Sequence, residues 1–152
     1  MIGGAVALSV AVLIQVVPYG WEHSNPPVTQ DAPWPSVSAR ALAVSACYDC
    51  HSNETNWPWY SYIAPSSWLV RRDVEAGRDE LNFSEWSREQ EGADDAIEVV
   101  LDGSMPPGQY KLLHPGARLS DAERQELVDA LRAMGLEDDG NRGRGRGRGG
   151  DD

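Results

Sequence analysis

Cys47, Tyr48, Asp49, Cys50 and His51 stand in one row, so two thiols and an imidazole fall within a single helical turn. They are the only two cysteines among 152 residues, too close together to staple a long chain, and a disulfide framework is excluded. Three chemistries remain. A redox dithiol uses this spacing, but in a βαβ setting that a helix-rich chain does not offer. A structural zinc site needs a fourth ligand, to be sought at the distant His23 or His114, and there is no second cysteine pair. Covalent haem attachment needs both thiols, one for each vinyl group of the porphyrin, and an adjoining His for the iron, in this order. That reading makes Cys47 and Cys50 the attachment points and His51 the proximal ligand of one haem c.

A sixth iron ligand is expected at Met105, in Gly103-Ser104-Met105-Pro106-Pro107-Gly108, where two prolines stiffen the loop before the thioether meets the metal. A thioether opposite a His raises the reduction potential, which suits electron transfer. His114, just before Pro115, is the competing ligand and would give bis-histidine coordination at a lower potential. Met134 falls on the inward stripe of the last helix and is read as core; His23 lies in a linker and receives no role. The run Trp57-Pro58-Trp59-Tyr60-Ser61-Tyr62 is dense in aromatics. Trp57, Trp59 and Tyr60 could wall a porphyrin and, with Arg71 and Arg72, face its propionates; each could equally be ordinary core.

The elements that must position these groups read as helices. Residues 2–17 are almost wholly apolar and are followed by Tyr19 and Trp21, so residues 1–21 are expected to be an export or anchor helix contacting the membrane. Residues 22–36 hold four prolines between Asn25 and Ser36 and read as an extended spacer. The domain is expected over 37–137. Helices are predicted over 39–46, 65–81 and 94–101, with a short one over 86–91 capped by Ser84. A last helix starts at a Ser120/Glu123 capping box and stops at Gly135, with Leu127, Ala130, Leu131 and Met134 inward. Arg71, Arg72, Asp73, Glu75, Arg78 and Asp79 form the solvated face of the second of these helices. No segment alternates like a strand, so the domain is all-α with long loops. Residues 138–152, with an Arg-Gly repeat, are expected to be a disordered tail.

A net charge of −11 argues against a nucleic-acid partner, the more so because Arg142, Arg144, Arg146 and Arg148 all sit in that tail. An acidic body favours a basic docking face on a partner, through an attraction that salt weakens.

The stretch CYDCHSNETNWPWYSYIAPSSWLVRRDVEAGRDELNFSEW, followed by GSMPPGQYKLLHPGARLSDAE, resembles the bacterial haem-binding domain family built around a single attachment motif. The resemblance covers most of residues 33–134. It implies a small cytochrome c-like helical domain, a covalent haem c, export to the periplasmic side and often an N-terminal anchor to the cytoplasmic membrane. No nucleophile-base pair, phosphate loop or second metal cluster is visible. The expected function is therefore a one-electron carrier between redox partner proteins rather than an enzyme. A haem-based sensor or small-ligand-binding module is the alternative. A peroxidase-like activity would need an open distal site and an acid/base residue, for which His114 is the candidate.

Overall fold

The computed structural model describes residues 2–136. Among them the chain is all-helical, with one isolated bridge between Gln30 and Glu85 and no strand. The expected Arg-Gly tail lies outside the described residues. Seven α-helices follow in order: α1 Ile2–Leu13, α2 Val37–Ala46, α3 Tyr48–His51, α4 Ser66–Glu80, α5 Ala96–Leu101, α6 Gly108–Leu113 and α7 Asp121–Ala133.

Local chemistry accounts for most of the boundaries. Ser36 caps α2 by accepting the Ala39 amide at 3.0 Å. The capping box of α7 is present in full: Ser120 accepts from Glu123 N, and Glu123 accepts from Ser120 N at 2.8 Å. Gly103 and Gly135 stand just beyond the ends of α5 and α7 at φ 78° and 93°, a conformation that disfavours side chains. The inward stripe of α7 is as expected, with Leu127, Ala130 and Leu131 buried and Met134 packed against the core.

Three expectations need correction. The apolar opening does not form a spanning anchor helix: α1 has 12 residues, about 18 Å at 1.5 Å per residue against the ~30 Å of a hydrocarbon core. No helix among the described residues is long and apolar enough to cross a membrane. The apolar run breaks at Gln15, whose side chain turns to Ala64, donating to its carbonyl and accepting from its amide at 3.0 Å each.

Nor are residues 22–36 a free spacer. Thr29 N and Gln30 N donate to Ser84 O, Ala32 N donates to Phe83 O, and Trp86 N donates to Gln30 O. Ala32 is buried, and the Trp34 ring packs 5.0 Å from Phe83 while its indole N–H donates to Tyr48 Oη at 2.8 Å. Several backbone groups of this segment, at Thr29, Gln30 and Ala32, are satisfied by the domain, which explains its order without periodicity.

The short helix expected over 86–91 is replaced by turns and a 3₁₀ turn at Glu91–Ala93. Ser84 cannot cap it, because its hydroxyl accepts the Asn53 amide, and Gln90 folds back to Asn82 N and Glu85 O. Conversely α6, in a stretch read as loop, is a helix. The core lies between α2, α5 and α7 and is centred on Tyr48, Phe83, Ile97, Leu127 and Leu131.

Candidate functional site

Cys47 begins where α2 ends, and its amide donates to Ala43 O at 2.7 Å, so the attachment turn is a direct continuation of a helix anchored in the core. The amides of Cys50 and His51 both donate to Cys47 O. Both cysteines are free. Shelter from water pushes each thiol up to about 12, so both stay protonated at neutral pH.

His51 Nδ1 lies 3.0 Å from Leu81 O. A carbonyl only accepts, so Nδ1 carries the proton and Nε2 keeps the lone pair a metal requires. Burial lowers the imidazole below its ordinary value, although the bond to Leu81 opposes this, and the neutral form is favoured. Fixing one ring nitrogen with a backbone oxygen also fixes the orientation of the other.

The turn is locked from outside by a set of buried polar side chains. Asn53 N donates to Ser84 Oγ, Asn82 Nδ2 donates to Asn53 Oδ1 at 2.9 Å, and Phe83 N donates to His51 O at 2.8 Å. Asn53, Asn82 and Ser84 are buried, and their donors and acceptors satisfy one another. Arg78, expected in solvent, instead donates to Ser52 O, Thr55 Oγ1 and Asn25 Oδ1. Gly77 lets α4 lie against this turn: a Cβ there would meet Cys50 O at 2.6 Å.

Cys47, Cys50 and His51 face a cavity of about 570 Å³, within the range of small-molecule and cofactor sites. Its walls are mostly apolar, from Val74 on α4, Val99 and Val100 on α5, and Leu127 and Leu131 on α7. Met105, Pro106 and Pro107 and Gln109, Tyr110 and Leu113 of α6 also line it. Two sheltered thiols, an imidazole with a free lone pair and a thioether thus share one apolar chamber. That donor set fits a haem.

Not every residue expected at the site is here. Tyr60 and Arg72 line the cavity, but Trp57 and Trp59 do not. Trp59 is 76% exposed, and Trp57 lies edge-on to His23 with centroids 4.7 Å apart. Arg71 points elsewhere, pairing with Glu75 at 2.7 Å and with Glu22 at 3.7 Å. His114 lines a separate outer groove, stacked 4.0 Å from the Tyr110 ring. His23 has a structural part after all, stacked on Tyr62 with its two ring nitrogens 2.9 Å from Trp21 O and 3.0 Å from Ser61 O.

Gly77, the Leu81 carbonyl and the Asn53–Asn82–Ser84 lock went unread in the sequence. The signal available for Gly77 was a glycine inside a helix, an unfavourable choice unless something approaches closely.

Comparison with known proteins agrees with this geometry. The cytochrome c peroxidase Ccp of Escherichia coli (strain K12) is 30% identical over 125 residues, which cover 72% of this chain and 27% of that protein. The chain therefore spans about a quarter of the length of that relative. No solved structure gives a significant match. The model of the haem-binding domain family matches residues 9–133, the span that contains the thiols, the imidazole and the cavity, and the chain belongs to that family.

Proposed function

We propose that the chain holds one haem covalently through Cys47 and Cys50, that His51 and Met105 would bind its iron, and that the protein acts as a one-electron carrier. The observation that carries this reading is that these four side chains line one apolar cavity, whereas His114 lines another. Haem supplies an iron that changes oxidation state one electron at a time.

The residues do the rest. Each protonated thiol would supply the sulfur and hydrogen for addition across one vinyl double bond, an attachment that needs no oxidant. His51 offers Nε2 because Leu81 holds Nδ1. The apolar walls would shelter the group, and Tyr60 and Arg72, two of the polar residues in the lining, would face its propionates. Met105 is held by its own backbone, its amide donating to Val99 O at 2.8 Å.

Acid-acetone treatment of protein made in a host competent in cytochrome maturation tests attachment: the pigment stays with the chain, and its full release overturns the reading. Spectra of the oxidised protein test the axial pair. The weak red sulfur-to-iron band is lost in Met105→Ala and kept in His114→Ala; the reverse pattern assigns the ligand to His114.

Location outside the cytoplasmic membrane and a redox partner with a basic face belong to the same proposal. Their support is the exposed apolar surface of α1 and the net charge of −11. Electron exchange with a basic partner slows as salt rises; a rate indifferent to salt removes the docking reading.

The likeness to a peroxidase favours a second reading, a distal position open to small ligands. Rapid carbon monoxide binding by the reduced protein at neutral pH would support it. The carrier reading stands ahead because His114, the acid/base residue such an activity needs, does not line the cavity.

A further inference from the structure

The loop carrying Met105 runs through Pro106 and Pro107 directly into α6, and no residue of α6 is buried. Packing by itself holds such a helix only weakly. Lys111 Nζ donates to Gly103 O at 3.0 Å, which closes the loop on itself. The tie that crosses to the other side of the site is different: the Tyr110 hydroxyl donates to Asp49 Oδ2 at 2.7 Å, joining residues 61 positions apart. Among the described residues it is the one hydrogen bond between α6 and the attachment turn. Asp49 sits between the two cysteines, and its other oxygen accepts the Asn56 amide at 3.0 Å, so the acceptor is itself fixed.

The pair also stands at a boundary. Asp49, Tyr110 and Leu113 line both the central cavity and the outer groove of about 510 Å³ that contains His114. These side chains are the partition between the two spaces. Burial and the bond to Asp49 both hold the Tyr110 phenol above its ordinary value, so it remains a donor throughout the neutral range.

We propose that Tyr110 is a positioning residue: by donating to Asp49 it latches the Met105 loop to the turn bearing His51, and so decides whether Met105 keeps its place or yields to an incoming ligand. The proposal rests on the reading of Met105 as an axial ligand. A hydrogen bond to a carboxylate is among the stronger single ties a protein makes, and here it is the tie across the gap. Its loss frees the loop and α6 locally without touching the core formed by α5 and α7.

The test uses the holoprotein and Tyr110→Phe, which keeps the ring stacked on His114 and removes only the oxygen. Covalently bound pigment and the denaturant midpoint of the helices stay at their wild-type values. Carbon monoxide binds the reduced variant about tenfold faster, and the sulfur-to-iron band of the oxidised variant disappears at a lower denaturant concentration. Asp49→Asn, which retains an acceptor oxygen, lies closer to wild type than Tyr110→Phe on both measures.

Met105→Ala is run beside them. If it loses the band while Tyr110→Phe matches wild type in band and ligand kinetics, the latch is wrong and the ligand reading survives. If Met105→Ala itself keeps the band and resists carbon monoxide, the ligand reading fails and the latch falls with it.

Discussion

On one side of the cavity α4 approaches the attachment turn so closely that a single added carbon at Gly77 would strike the Cys50 carbonyl, and Val74 beside it is 2% exposed. On the other side Met105 is 39% exposed, Leu113 58%, and α6 buries nothing. The first wall is held by contact and by buried hydrogen bonds, the second by a few polar ties over a solvated surface. On the proposed reading, the ligand fastened beside the thiols would sit on the tight wall, and the one with the intrinsically weaker bond to iron on the loose wall, where local opening need not disturb the fold.

The sharpest way to break this contrast is to disturb the tight wall. Gly77→Ala forces the α3 and α4 backbones apart, an overpacking cost of about 1–3 kcal/mol in the apoprotein. The yield of covalently loaded protein falls severalfold because the thiols and the His51 ring move together. Thermal melts and pigment-to-protein ratio measure it, and wild-type values for both would show that the close approach has no consequence.

A milder change acts on the loose wall. Lys111→Met removes the donor to Gly103 O and costs about 1 kcal/mol of local order. Hydrogen exchange quickens at amides from Gly103 to Leu113 while those from Leu127 to Leu131 keep their protection. Equal acceleration in both stretches would mean that the two walls are not separable.

The smallest effect is expected away from both. Ser120→Ala loses the α7 cap, about 1 kcal/mol globally, with the spectrum unchanged. Bonds from the Ser120 amide and hydroxyl hold the Glu123 carboxyl below its ordinary value. A carboxylate depressed in the fold contributes stability that is complete above its unfolded value, about 4.3, and is lost as pH falls through the lower folded one. The stability difference between wild type and Glu123→Gln therefore shrinks on acidification below that range; a difference constant down to pH 2 contradicts it.

Cys47, Cys50 and His51, which the fold brings to one cavity, stood out as candidates without coordinates because haem attachment demands such groups adjacent, and adjacency is a property of sequence. Met105 stood out for a related reason, since two prolines after a methionine mark a stiffened loop whatever surrounds it. The capping box and the inward positions of α7 followed from local rules in the same way. Strand-free helical architecture was legible from periodicity alone.

Other features depend on pairs distant in sequence. Nothing near Asn53 says that Ser84 will accept its amide 31 residues away, or that residues 27–34 will lie against Phe83 rather than span a gap. The placement of His114 outside the central cavity and the hydrogen bond from Tyr110 to Asp49 arise only when α6 folds back across the turn. The chain by itself determined which thiols, imidazole and thioether are candidates for holding a haem, because that depends on residue type and short spacing. Tertiary structure decided which nitrogen of His51 is free, which helix may touch the thiols and what separates the cavity from water, because each depends on groups brought together by burial rather than by order in the chain.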